Sequence, residues 1–586
     1  MSIAIGRPGR GSGQAPARFA ASIGRLRREP KYLILLPAAV VVAYLALVPI
    51  GTMLVASFQS SFLGTGPSHW TASHYAETFT SPGFGQLVTN SFAYAAATAA
   101  VSTCIGFGLA WLVSRTNTPA KSFARVAAIV PLIIPGILNT VAWALLFAPS
   151  TGPLNSLLRD LHLPTFNIYS LPGMVFVQTM HVTPIAFLMG VAAFTSMDAS
   201  MEEAALSSGA SPWCVFRKIT LRLVGPAILS AALLMFIQTI STFEVPQLIG
   251  VPGHTFVFVS KIYDALQTFP PDYGTVGVIG VFVLCIAVGG LWLSRRLSRG
   301  SVTATITGKG FRPSVTDLGR WRPVGLAAFI LFFLIAVVLP LVILLWSSLL
   351  PGYEPPSAKA LHDITLANFR QIWTAPNLLR SVRNSVLTAV ISGTVVTALS
   401  AVVAYIVVKT RIRGRHLLDG LATMPIAVPS IIMGVGILYW YLVAPLPFHL
   451  YGTLIILIVA FITISLPYGL RYLAPGMAQI KDELEEAATA SGASWPQSFR
   501  RVFVPLLMPS LLAAFLYTMI VAFREISAAI FLYTQGNEVM SVTVYDLWSN
   551  GDYPVVAALG VLIVAFLAVV AGIVQRLGGR LGIGSR

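Results

Sequence analysis

Apolar residues in this chain form long runs separated by short polar stretches. Residues 32–58, 324–350 and 555–574 are each long enough to cross a bilayer as a helix, which takes about 20 apolar residues. The pattern predicts spans near 33–58, 88–114, 124–148, 171–196, 223–249 and 274–294. A second set follows near 323–350, 384–408, 418–444, 452–474, 507–533 and 553–574. Residues 300–322 are polar, basic and contain glycine, as a linker between the two sets would be. The expected organisation is a basic segment 1–32, a first half 33–299, the linker 300–322 and a second half 323–586.

The polar stretches themselves repeat. Glu202-Glu203-Ala204-Ala205-Leu206-Ser207-Ser208-Gly209-Ala210-Ser211 returns 283 residues later as Glu485-Glu486-Ala487-Ala488-Thr489-Ala490-Ser491-Gly492-Ala493-Ser494. Phe216-Arg217 matches Phe499-Arg500, Pro184 matches Pro467 and Pro226 matches Pro509 at the same offset. Nearer the start of each half, Asn90-Ser91 matches Asn384-Ser385 and Pro131-x3-Pro135 matches Pro425-x3-Pro429, at an offset of 294. The first half thus carries about 11 extra residues, expected in the loop 149–170. Ile262-Tyr263-Asp264 resembles Val544-Tyr545-Asp546 at an offset of 282. Chance similarity between apolar segments accounts for shared Ala and Leu, but not for aligned Glu, Gly, Pro and Asn. The order of matches indicates a parallel duplication about an axis along the membrane normal.

Composition narrows the class. Of 586 residues 56% are hydrophobic and 10% charged, with mean hydropathy +0.79, against roughly 25% charged residues in soluble domains. The net charge of +17 would suit nucleic acid, but its placement speaks against that. Lys and Arg crowd the segment before the first span, recur at 115–125 and 217–222, and fill 295–322, whereas 59–87 has none. That alternation is the positive-inside pattern and puts both termini in the cytoplasm. Lys359, Arg370, Arg380 and Arg383 after the seventh span fit it imperfectly. The first run is too long for the apolar part of a cleaved signal peptide. Cys104, Cys214 and Cys285 have neither disulfide nor metal-ligand spacing and read as packing residues.

Within each duplicated stretch, Glu and Ala favour helix, Gly209 and Gly492 fall where the turn ends, and Pro212 or Pro496 suits the start of another helix. Glu203 and Glu486 are placed to accept bonds that hold the turn, while small Ala and Ser leave room for a partner. Here the residues resemble a known pattern. Glu203-Ala204-Ala205-x3-Gly209 and Glu486-Ala487-Ala488-x3-Gly492 are similar to the EAA loop of permeases in binding-protein-dependent ABC importers. That pattern continues with Ile-x-Leu-Pro; here the region reads Ile219-Thr220-Leu221-Arg222 and Val502-Phe503-Val504-Pro505. The first copy lacks the Pro, the second the Ile and Leu.

The resemblance implies an all-α polytopic fold of two homologous six-helix type I permease halves, with about 12 transmembrane helices, in a bacterial inner membrane. It implies that the residues Glu203, Ala204, Ala205, Gly209, Glu486, Ala487, Ala488 and Gly492 couple to two separate ATP-binding-cassette subunits. A soluble or lipid-anchored substrate-binding protein is implied outside. No G-x-x-x-x-G-K-[ST] phosphate loop occurs in the sequence, so ATP is expected on the partner and no cofactor or catalytic residue in this chain. Phe523-Arg524-Glu525-Ile526-Ser527 and Tyr545-Asp546-Leu547-Trp548, with both halves in one chain, are similar to the ferric-iron group. Thiamine, polyamine and phosphonate permeases remain alternatives.

Ionisable residues inside spans are candidates for a transport route, because burying them is costly. Glu244, Arg524 and Glu525 are the ones here, with pairing to neighbours as the alternative role. His181, Asn139 and Gln178 are expected to make helix–helix hydrogen bonds, and no dedicated metal site is expected. An ion-coupled secondary transporter would need more midplane charges and leaves the duplicated loop unexplained. A membrane-embedded enzyme would need a cluster of His, Asp or Glu.

Overall fold

A computed structural model describes residues 32–60, 69–197, 200–302, 316–444 and 449–580. Residues 1–31 of the basic segment and most of the linker 300–322 lie outside the described residues. Among those described, ten helices are long and apolar enough to cross a membrane, and up to twelve if each of two bent pairs counts as one span. Regular structure among the described residues is helical, with two isolated bridges.

The third span of each half departs from the straight helix expected from its hydropathy. Lys121–Ile133 and Gly136–Leu146 meet at 96°, and Arg415–Ala427 and Ser430–Val443 at 107°. The duplicated proline pairs are the cause. Pro131 and Pro425 open short 3₁₀ turns, and Pro135 and Pro429 precede the second helices with extended backbone. A proline has no N–H to continue a helix and pushes the residue before it out of helical geometry.

The fifth and eleventh spans also end early. Leu221–Ile240 stops 9 residues before the expected 249, and Val504–Arg524 stops 9 before 533. Each half then turns back and forms a short helix, Phe258–Gln267 or Met540–Ser549. The repeated Asn-Ser dipeptide fastens that helix. Ser91 Oγ accepts from the Phe258 N–H at 3.0 Å, and Ser385 Oγ from the Met540 N–H at 2.7 Å. Asn90 donates to the Phe256 carbonyl and Asn384 to the Glu538 carbonyl. Helix N-termini leave such N–H groups without partners of their own.

Each half is built on a close pair of helices, Phe84–Arg115 against Leu171–Thr195 and Pro376–Lys409 against Leu454–Gln479. Small residues permit the approach. A methyl on Gly106 would stand 2.6 Å from Ala186 Cβ, and one on Gly469 2.4 Å from Ser400 Oγ. Repeat offsets pair Gly106 with Ser400 and Ala186 with Gly469. The glycine has therefore changed sides of the interface while the close contact has stayed.

The halves embrace through their first helices. Tyr32–Ser57 lies along Ser430–Val443 of the second half, and Arg322–Phe333 and Leu339–Ser348 lie along the bent pair of the first. Thr52 Oγ1 donates to the Gly436 carbonyl at 2.9 Å, and a Cβ on Gly436 would collide with the Pro49 carbonyl. The extra residues of the first half form the small helix Pro153–Asp160 in the expected loop, tied down by buried Asn155 to Phe147 and Phe166. Arg380, one of the basic residues that fit the charge pattern poorly, is held by Glu538 at 3.3 Å.

Candidate functional site: twin loops and a polar centre

Both duplicated loops fold the same way. Helices Ser200–Ser207 and Asp482–Ala490 end at Gly209 and Gly492, whose φ values are +84° and +80°. The Gly209 N–H bonds to Leu206 O and the Ala210 N–H to Ala205 O; Gly492 bonds to Thr489 O and Ala493 to Ala488 O. This is the Schellman closure, which needs a left-handed residue at that one position. Ser211 and Ser494 then cap the next short helices, Pro212–Val215 and Trp495–Ser498. A five-residue π-helical turn follows in each copy, Phe216–Thr220 and Phe499–Phe503. The two departures from the Ile-x-Leu-Pro pattern thus leave the backbone path unchanged.

The carboxylates that hold the loops differ from those expected. Glu203 and Glu486 are exposed; Glu202 and Glu485, one position earlier, turn inward. Glu202 is 6% exposed, 3.1 Å from the guanidinium of Arg115, and accepts from the Thr220 hydroxyl. Glu485 accepts from the Tyr405 hydroxyl. Lys409, the repeat partner of Arg115, instead reaches Asp482 and the Ile480 carbonyl. The twin of Thr220 is Phe503, which offers no hydroxyl, and the twin of Asp482 is Ala199, so only the second half has a carboxylate at that position. The Lys409 ammonium, hydrogen-bonded to Asp482, holds that carboxyl below the usual carboxylate range.

Tucking in the first glutamate leaves the rest of each loop outward. Ala204 and Ala487 are exposed with Glu203 and Glu486, Ala205 and Ala488 half-buried. Met201, Leu206, Trp213 and Leu484 add exposed apolar surface around them. The Gly positions are open, with nothing near a Cβ built on either. Their constraint is the backbone angle, not space.

Glu244, Arg524 and Glu525 come together near the middle of the molecule. Each sits just where a shortened span ends, so all three lie in or beside the turned-back segments. Arg524 donates through Nη1 to the Leu132 carbonyl, across the two halves and at the break of the first bent pair. Glu525 accepts from the Ala528 N–H at 3.0 Å and from the Ser430 hydroxyl, and its own carbonyl accepts from Ser541 at 2.9 Å. Glu244 and His181 both press against Gly136. A methyl there would stand 3.0 Å from Glu244 Oε1 and 3.4 Å from His181 Nε2.

Of the three polar residues expected to bridge helices, Gln178 does so, donating to Thr242 Oγ1 at 3.0 Å. The buried Asn139 amide nitrogen has no hydrogen-bond partner among the described residues. His181 lies beside Glu244. Among the described residues no group of three or more His, Cys, Asp and Glu is arranged to hold a metal ion. The turned-back segments follow the helices without a clear polar break, and the π turns Phe216–Thr220 and Phe499–Phe503 fall on the basic residues of the loops, so hydropathy marks neither. A repeat comparison would have found the centre. An offset of 283 sets Glu244 opposite Ser527, Arg524 opposite Ser241, Glu525 opposite Thr242 and His181 opposite Ile464.

Residues 102–302 and 393–582 each match the family described as binding-protein-dependent transport system inner membrane component. A ferric transport system permease protein of Actinobacillus pleuropneumoniae is 25% identical over 495 residues, covering 83% of this chain and 70% of the relative. A putative ferric transport system permease protein of Haemophilus influenzae is 25% identical over 470 residues, covering 78% and 72%. Among solved structures, a chain of a bacterial alginate ABC transporter in complex with its alginate-bound periplasmic protein aligns at 20% identity and TM-score 0.39. It covers 50% of this chain and 100% of that one.

Proposed function

The chain belongs to the family of binding-protein-dependent transport system inner membrane components, and from that premise we propose that it is the permease of a ferric-iron importer. Its role is to carry the passage and to convert movement of separate ATP-binding subunits into opening of that passage. The observation that supports this most is the pair of identically closed loops, two outward-facing Glu-Ala-Ala surfaces on one chain. A pair of matched surfaces suits a pair of matched motors. With no phosphate-loop sequence in the chain, ATP binds to those partners, and this polypeptide is a conduit with no enzymatic step of its own.

In this reading both termini and both loops face the cytoplasm, and a binding protein delivers cargo at the opposite side. Glu244, Arg524 and Glu525 line the route between the halves. The Arg524 contact to Leu132 bridges the halves and must open for cargo to pass. Ferric iron is favoured because three of four relatives that cover most of the chain are ferric permeases.

The test is uptake by the complete importer in proteoliposomes, with labelled ferric iron, thiamine, putrescine and 2-aminoethylphosphonate offered in turn. ATP-dependent accumulation of ferric iron alone is expected. Accumulation of one of the others would replace the cargo and keep the machine. Uptake driven by an ion gradient without the ATP-binding subunits would overturn the machine itself.

A further inference from the structure

The sequence singled out a repeated Tyr-Asp pair, at 263–264 and 545–546, that the coupling loops and the Glu244–Arg524–Glu525 centre leave unused. The structure brings its two tyrosines together between the halves. The Tyr263 and Tyr545 rings lie 6.0 Å apart, and the phenols are hydrogen-bonded to one another. Tyr533 joins them, donating to Asp546 Oδ1 at 3.3 Å, and Gln247 Nε2 donates to the Tyr545 hydroxyl at 3.1 Å. Phe243 and Phe531 pack against Tyr263 with ring centres 5.4 and 5.8 Å away, forming the wall of the cluster. Phe243 adjoins Glu244 in sequence, so the cluster continues directly into the polar centre.

Two features separate this cluster from ordinary packing. The first is its chemistry: three phenols and a carboxylate present hard oxygen atoms, and all four residues are half-buried, within reach of solvent. Aromatic packing alone would be served equally by phenylalanine. The second is its asymmetry. Asp264, the twin of Asp546, is exposed and paired with Lys261 at 2.9 Å. Tyr533 stands opposite Gly250 and Gln247 opposite Ile530 at an offset of 283. Fold requirements are shared by the two halves, so groups that one half alone supplies answer to something that is not symmetric. A small cargo at the meeting of two halves is such a thing.

We propose that Tyr263, Tyr533, Tyr545 and Asp546 form an oxygen-donor site that receives a ferric ion at the end of the passage opposite the coupling loops. Hard, highly charged cations take oxygen ligands, and tyrosine oxygen is an established ligand of iron in the ferric state. Each phenol that ligates exchanges its O–H bond for an O–Fe bond and releases the proton to water, with no change in oxidation state. Gln247 orients the Tyr545 oxygen. The inference rests on the ferric reading of the cargo.

The test uses the intact importer in lipid nanodiscs without ATP, titrated with ferric citrate. Phenolate bound to ferric iron absorbs visible light by charge transfer, so the wild-type complex gains a coloured band that gallium citrate does not produce. The band is lost when Tyr263, Tyr533 and Tyr545 are replaced together by Phe. Gln247→Leu weakens binding about 10- to 100-fold, the usual effect of removing a group that orients a ligand. Copurification of the ATP-binding subunits at the wild-type ratio shows that a variant is assembled. No band in the wild type, or a band that survives the triple substitution, overturns the site. Ferric uptake in proteoliposomes separates the two ideas: normal uptake by the triple variant sinks the site and leaves the cargo reading standing. Failure of the wild type to take up ferric iron sinks the cargo reading, and the site with it.

Discussion

The loop end of this molecule and its centre treat the internal repeat in opposite ways. At the loops, the same residues at the same offset make the same bonds: a left-handed glycine, two closing hydrogen bonds, a serine cap, a π turn. At the centre, Glu244, Arg524, Glu525 and His181 each face a twin of different chemistry. Sameness is what a surface needs when two copies of one partner must seat on it. Difference is what a passage needs when one cargo must fit between two walls. In the function proposed above, the loops therefore belong to the machine and the centre to its cargo.

The largest expected effect tests the shared end. Replacing Gly209 and Gly492 together with Val puts a β-branched residue at positive φ in both loops, where such residues are rare outliers. We expect uptake to fall to background, with ATP-binding subunits either lost on purification or hydrolysing ATP without transport. Normal association and uptake in the double variant would dissolve the comparison at its better-supported end.

Next comes the unshared centre. Arg524→Ala removes the tie from the second half to the Leu132 carbonyl of the first and leaves Glu244 and Glu525 without the cation between them. Loss of that charge-assisted hydrogen bond costs about 1.5–3 kcal/mol. Uptake should fall strongly while the ATP-binding subunits still copurify, since the loops are untouched. If the subunits dissociate instead, centre and loops are not the separate functions drawn here.

A third prediction probes where the shared end is itself uneven. Glu202→Gln breaks a buried ion pair with Arg115 and should destabilise the first loop by roughly 3 kcal/mol. Glu485→Gln disturbs a hydrogen bond to Tyr405 and should cost about 1 kcal/mol. Thermal unfolding of the purified permease in detergent would rank them. Equal shifts would mean that Arg115 contributes no more to the first loop than Tyr405 to the second.

What could be read from the sequence follows the same division. The membrane class, the two halves and the glycine turns were legible, because long apolar runs and a left-handed glycine each have one structural meaning. The bend at each proline pair was half legible: Pro131-x3-Pro135 and Pro425-x3-Pro429 stood out as repeats, but hydropathy drew a straight span through them. The inward glutamate was misplaced by one residue, because Glu202 and Glu203 are equally good helix formers and only the position of Arg115 tells them apart. The early ends of the fifth and eleventh spans were hidden, since 525–533 is nearly as apolar as the helix before it and 241–250 still interleaves Phe243, Val245, Leu248 and Ile249 with its polar residues. Glu244, Arg524 and Glu525 stood out all the same, because charge is improbable in any such segment; that they meet at one place was not legible, since it depends on how the two halves pack.

The smallest expected difference is in the repeat at the far end of the molecule, where the Asn-Ser dipeptide fastens each turned-back helix. Ser91 and Ser385 accept one buried backbone N–H each, at 3.0 and 2.7 Å. Substituting either by Ala leaves that N–H without its partner, a loss of about 1–3 kcal/mol. The turned-back segments carry groups that the halves do not share, but their fastening is shared, so Ser91→Ala and Ser385→Ala should lower the unfolding temperature by similar amounts. Matched shifts would mean that symmetry governs the scaffold even where it has been abandoned in the passage. A large mismatch would show that the second half, which supplies Tyr533, Tyr545 and Asp546, depends on its fastening in a way the first does not, and the line between scaffold and passage would have to be redrawn there.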